Sequence, residues 1–219
     1  MKAILPVRWR PVWLWGLCLL FAASFAHADQ ASAAPDEVVQ VATDELLEII
    51  EEHRPTYRDE PERYFRAVDE SMAEFVDYEA IARAVMAGHW NEASEAQRQE
   101  FIKVFRRGLV RSYARALLEF DHRDITVLPL REDHVRGDRA VVRMRVTTEN
   151  GREFPLHYSM ADHDERGWQV RNVVVNGVNL GQTYRAQFAG AMRSEQSLDR
   201  VIDNWSTAPP EELEGATGS

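Results

Sequence analysis

The chain has 219 residues, one cysteine and a formal net charge of −10, from 36 acidic and 26 basic side chains. That balance argues against nucleic acid and against prolonged residence on anionic headgroups, because both select positive charge. With a single cysteine there is no intrachain disulfide framework, so stability must come from packing, and the length suffices for one sizeable core.

Residues 1–28 have the form of a secretory signal peptide: Lys2, Arg8 and Arg10, an apolar run at 12–25, and Ala26-His27-Ala28 as an A-x-A cleavage site. The mature chain is expected to begin at Asp29 and to carry a net charge of −13 once those three basic residues are removed. The apolar run is shorter than the roughly 20 residues of a spanning helix. Leu17, before Cys18, is not the small residue of a lipoprotein signal, so no lipid anchor is expected.

Helical spacing begins at Asp36, with Val39, Ala42, Leu46, Ile49 and His53 on one face. RPTYRDEP interrupts it, and Pro61 suits the first position of a second helix carrying Tyr64, Phe65, Val68, Met72 and Phe75. Asp77 is placed to cap a third helix with Ile81 and Val85, which Gly88 is expected to end. Ser94-Glu95-Ala96-Gln97 reads as a capping box opening the longest helix, whose stripe includes Phe101, Phe105, Leu109, Tyr113, Leu117 and Phe120. Gly108, mid-helix, costs up to about 1 kcal/mol relative to alanine, which points to a bend or a close approach.

After Asp121 the apolar period becomes 2. Ile125 and Val127 open a first strand; in RAVVRMRVTT, Ala140, Val142, Met144 and Val146 share one face. Asn150-Gly151 turns the chain into REFPLHYSM, with Phe154, Leu156, Tyr158 and Met160 on one face and Pro155 suggesting an edge strand or a bulge. WQVRNVVV is the next strand. Asn176-Gly177 resembles a two-residue hairpin turn, but alternation lasts only through Val178 and Leu180 before Tyr184, Phe188, Ala191 and Met192 take up helical spacing. The reading is strand, extended corner, helix, rather than a hairpin. Ser197 caps a last helix with Leu198, Val201, Ile202 and Trp205, and 208–219 reads as a disordered acidic tail. One domain is expected, over 29–207.

There is no G-x-S-x-G, no H-E-x-x-H, no phosphate-binding glycine loop and no cysteine nucleophile in the mature chain. Asp162-His163-Asp164 with Gly167 only partly resembles a calcium loop, because Arg166 and Val173 stand where acidic ligands belong. His122, His134 and His163 read as solvated turn residues, and His157 faces away from Leu156 and Tyr158. Neither a catalytic residue nor a metal site is expected.

The stretch FVDYEAIARAVMAGHWNEASEAQRQEFIKVFRRGLVRSYARALL resembles the periplasmic phospholipid-binding MlaC family, also called toluene-tolerance auxiliary proteins. An aspartate before an apolar helix, a glycine and aromatic at GHW and a QR-x-x-F helix start carry the likeness. So does W-x-V-x-N-V-V-V-N-G-V-N-L-x-x-x-Y-R-x-Q-F over residues 168–188. Asn172 and Asn176 depart from the acidic residues common there. The resemblance implies an α+β fold, a curved, mostly antiparallel sheet wrapped by helices in a cone like that of nuclear transport factor two, with an internal lipid cavity. It also implies phospholipid as cargo, an outer-membrane lipoprotein complex and an inner-membrane ABC transporter as partners, and a periplasmic location. No cofactor is implied; a monomer with transient membrane contact is expected.

On that reading the acyl chains lie between the sheet face of Val142, Met144, Val146, Leu156, Tyr158 and Met160 and the helices bearing Phe105, Leu109, Tyr113 and Phe188. Gly177, Tyr184 and Arg185 are structural or near the headgroup, with Arg185 pinning the corner to the helix. Two other classes remain: a small-molecule isomerase or dehydratase on the same cone, with an aspartate or histidine in its pocket, and a structural adaptor with a filled core.

Overall fold

In the computed structural model, which describes residues 33–119, 122–163 and 165–207, the first half of the chain is helical, as its periodicity predicts. Helix α1 (Pro35–His53) and helix α2 (Pro61–Phe75) each begin on a proline, whose missing N–H is one of the donors that go unpaired at a helix start. Helix α3 (Tyr78–Met86) is capped by Asp77, whose carboxylate accepts from the Ala80 amide at 3.0 Å. It ends differently from the expectation. Ala87, not Gly88, takes the positive φ of 52°, and Gly88 instead opens the single turn α4 (His89–Glu92) in ordinary helical geometry.

The capping box of α5 (Glu95–Glu119) is reciprocal: Ser94 Oγ accepts from the Gln97 amide, and Gln97 Oε1 accepts from the Ser94 amide. Gly108 serves close approach. A Cβ there would stand 1.7 Å from Thr207 Oγ1, and Ser112 donates to the Thr207 carbonyl at 2.6 Å, so the end of the described chain lies flat on α5.

The sheet is antiparallel throughout, in the order β1 (His122–Val127), β3 (Arg139–Thr148), β4 (Glu153–His163), β5 (Gly167–Val175), β6 (Val178–Asn179), with β2 (Val135–Arg136) paired to β3. The alternation in β3 gives burial as read: Ala140, Val142, Met144 and Val146 are buried and face the helices. The curved sheet wrapped by helices is the architecture that the resemblance implied.

Two Asn-Gly pairs do different work. Asn150-Gly151 lies in a three-residue loop in which only Gly151 has positive φ, at 80°. At Asn176-Gly177 both residues do, at 49° and 86°, and Val175 pairs directly with Val178. This is a two-residue hairpin of the mirror-image type, correcting the extended corner. The returning strand is two residues long before helix α6 (Leu180–Glu195) takes over, followed by α7 (Leu198–Asp203) under the Ser197 cap.

Pro155 is not on an edge strand, since β4 is flanked by β3 and β5. Its carbonyl accepts from the Asn176 amide, so its missing N–H also faces the turn beyond the last β5 pair, where no ladder bond is due. The irregularity is on the neighbouring strand instead. Ser159 pairs with Asn172 and Met160 with Val170, which leaves Arg171 as the extra residue of a bulge.

Candidate functional site

Strand alternation and helix stripes bring apolar side chains face to face, and between them the interior is not filled. One cavity, of about 290 Å³, lies between α1 and the sheet; a second, of about 270 Å³, lies under α3, α5 and α6. Leu46, Met72, Leu117, Leu156, Tyr158 and Val173 border both, so the two form adjoining lobes. Met144, Val146 and Met160 line the first lobe; Phe105, Leu109, Tyr113 and Tyr184 line the second.

Val142 and Phe188 line neither lobe. Val142 is fully enclosed in the sheet-side core, and Phe188 packs edge-on against Phe101 at 5.2 Å in the helical core. Gly177 is exposed in the hairpin turn. Arg185 is exposed on α6 and has no hydrogen-bond or ion-pair partner among the described residues, so it does not pin the corner. Two asparagines do. Asn172 Nδ2 donates to Asn179 Oδ1 at 3.0 Å, Asn172 Oδ1 accepts from the Gly181 amide at 2.9 Å, and Asn179 Oδ1 caps α6 through the Gln182 amide. A carboxylate at 172 could accept but not donate, so the amide found here suits both contacts.

Much of the first lobe's wall was not singled out from sequence. Val38, Ala42, Leu46 and Leu47 of α1, Met72 of α2 and Val173 of β5 all border it. The α1 stripe was legible as a stripe; what it faces depends on how far the helix stands off the sheet.

Among the described residues, the ionisable groups lining the lobes are Tyr78, Tyr113, Tyr158, Tyr184 and Arg171. Burial pushes the Tyr158 hydroxyl up to about 12, and burial likewise raises Tyr113 and, much further, Tyr184. All stay protonated at neutral pH. The Tyr113 and Tyr184 hydroxyls are hydrogen-bonded to each other at 2.8 Å.

The bulge aims Arg171 at the start of α3, where Nε donates to Asp77 Oδ2 at 3.2 Å. His163 Nε2 lies 3.0 Å from the same oxygen. His163 is thus not a solvated turn residue; it belongs to β4 and closes a cluster around a carboxylate that is only 5% exposed. His134, in a short turn, is partly buried, and nothing is described of the His122 side chain. Burial alone would raise the Asp77 carboxyl, but the Ala80 amide, His163 and Arg171 outweigh it and hold it below its ordinary value. The cluster pins α3 to the edge of β5, where the Asp77 amide also donates to the Val170 carbonyl.

Asp164 of the partial calcium loop lies outside the described residues, and among those described no group of three or more His, Cys, Asp or Glu is arranged to hold a metal ion. A larger surface groove, about 510 Å³, runs outside α2 and α5. Its walls carry Arg66, Lys103 and Arg107 and the ion pairs Arg106–Asp69 and Arg111–Glu62, so it is unsuited to an apolar ligand.

A family model described as MlaC protein matches residues 40–207. The chain belongs to the MlaC family. A relative in Pseudomonas putida, the toluene tolerance protein ttg2D, is 38% identical over 192 residues, which is 87% of each chain. A phospholipid-binding protein from Ralstonia solanacearum, solved in complex with a phospholipid, matches this fold with a TM-score of 0.69 at 25% identity, covering 78% of this chain and 94% of that one. The MlaC resemblance read from GHW, QR-x-x-F and the 168–188 stretch is therefore correct.

Proposed function

We propose that this MlaC-family protein is a periplasmic phospholipid carrier, moving lipid between an outer-membrane lipoprotein complex and an inner-membrane ABC transporter and so maintaining outer-membrane lipid asymmetry. The observation that carries the reading is the pair of adjoining apolar lobes between sheet and helices. Their combined volume falls within the usual range of ligand pockets, about 300 to 1,000 Å³. Two lobes with a shared wall suit one acyl chain each, with the headgroup left towards water. Phospholipid bound to the Ralstonia solanacearum neighbour supports the same ligand.

Carrying a two-chain lipid through water exposes some 30 methylenes at about 0.8 kcal/mol each, so a shuttle must cover more than 20 kcal/mol of apolar surface. That task needs walls of the kind found here and no nucleophile, base or metal. An isomerase or dehydratase would want a carboxylate or imidazole facing its substrate, whereas among the described residues the ionisable groups on these walls are tyrosines and one arginine engaged with Asp77. On this reading the signal peptide is removed after Ala28, residues 29–207 form the carrier domain, and the protein works as a monomer with brief membrane contacts.

The test is native mass spectrometry of protein purified from the periplasm without detergent, with extraction of any bound lipid. Stoichiometric phospholipid is expected. Leu117→Trp, which places an indole at the junction of the lobes, should lower that occupancy at least severalfold while the protein stays folded. A folded wild type that is lipid-free and takes up no added phospholipid would overturn the proposal.

A further inference from the structure

The second lobe has a wall of Phe105, Leu109, Ala114 and Leu180 into which two hydroxyls have been built. Tyr184 is 2% exposed, Tyr113 is partly buried, and their oxygens are 2.8 Å apart. A tyrosine pair holds two O–H protons, and one mutual hydrogen bond uses one of them. Neither hydroxyl has another hydrogen-bond partner among the described residues. Of the other polar side chains lining this lobe, Asn172 is engaged with Gly181 and Asn179, Arg171 with Asp77 and the Tyr158 hydroxyl with the Met144 sulfur, while the Tyr78 ring lies under the Arg106 guanidinium. One donor is therefore left over, on a wall that faces the lobe.

Two phenylalanines would fill the same space without stranding a donor, and replacing both partners of a buried hydrogen bond by apolar groups of the same shape is close to neutral. A leftover donor in an apolar wall is explained by a ligand that brings an acceptor. The acceptor must sit on an otherwise apolar ligand and be uncharged, since Arg171, the one cation lining the lobe among the described residues, is already paired with a buried carboxylate. Of the oxygens on a phospholipid, the carbonyl of an acyl ester fits and the phosphate does not.

We infer that the Tyr113–Tyr184 pair is the polar recognition element of the cavity, donating one O–H to an ester carbonyl of the bound lipid and so selecting ester-linked over ether-linked chains. The inference rests on the carrier reading above. The preference should be about fivefold, the factor that one net hydrogen bond supplies.

Delipidated full-length mature protein would be incubated with vesicles containing equal amounts of dipalmitoyl- and di-O-hexadecyl-phosphatidylethanolamine, and the bound fraction read by native mass spectrometry. Wild type should load the diester about fivefold over the diether. The double variant Tyr113→Phe/Tyr184→Phe should load the two lipids near parity, because the diester loses its advantage; a single variant leaves one hydroxyl free to donate and should keep part of the preference. Equal loading of the two lipids by wild type overturns the inference and leaves the carrier reading standing, and the wild-type comparison decides this even if the double variant does not fold. A fivefold preference that survives in a folded double variant also overturns it. Uptake of neither lipid by folded wild type overturns the carrier reading and the inference together.

Discussion

Between α5, α6 and α7 the rings of Phe101, Phe105, Phe188 and Trp205 meet at centroid separations of 5.2 to 6.2 Å, whereas Met144, Val146 and Leu156 face Leu46 and Met72 across open lobes. Both regions come from apolar stripes at regular spacing. Planar rings tilt edge-to-face and close the gaps between helices. Aliphatic side chains on a pleated sheet reach a fixed distance and stop, so filling depends on how near the facing helices come. Here the helix layer is tied to the sheet at its margins by polar contacts: the Asp77 cluster at β5, and the asparagine pair at the start of α6. The filled core stabilises the fold, and the polar ties hold the hollow part at its width.

The difference should be visible in stability. Phe101→Ala, on the filled side, removes a fully buried ring from its neighbours and should cost about 3 to 5 kcal/mol in urea unfolding. A loss below 1 kcal/mol would show that this side is not the structural core.

Asp77→Asn, at the tie, should cost about 2 kcal/mol, because the amide keeps the cap but weakens the contacts to His163 and Arg171. The pH dependence has a definite sign. The folded-state value lies below the ordinary aspartate value of about 3.9, so the contribution is complete above that pH and is lost as pH falls through the lower folded value. Below that point wild type and variant should converge in denaturant midpoint. A gap that persists undiminished into acid would remove the carboxylate from the account.

Leu156→Ala, on the hollow side, should cost the least, about 1 to 2 kcal/mol, because a side chain that already borders empty volume has fewer contacts to lose. A penalty equal to that of Phe101→Ala would erase the distinction between the two regions.

Part of the site was legible before any coordinates. The alternation of Met144, Val146, Leu156, Tyr158 and Met160 places them on one face whatever the sheet's curvature, and all five line a lobe. Phe105, Leu109 and Tyr113 follow in the same way from helical spacing. Val142 and Phe188 share those faces and are packed solid, because the same periodicity holds whether the opposite surface is in contact or stands off. The contribution of α1, the bulge that re-aims Arg171 and the capture of His163 by Asp77 depend on contacts across 86 to 94 residues or on one displaced residue in a ladder. Local pattern carries no trace of either.

By itself the sequence determined the helix and strand periods, the caps at Asp77, Ser94 and Ser197, the faces that turn inward, and membership of the MlaC family, because propensity, capping and alternation are properties of neighbouring residues. Only the tertiary structure decided which inward faces meet and which stay apart, and that Asn176-Gly177 closes a hairpin before the chain enters α6. The physical reason is one of range. Hydrogen-bond caps and strand alternation act over a few ångströms along the chain, while a void is set by the separation of layers that the chain joins only at their margins.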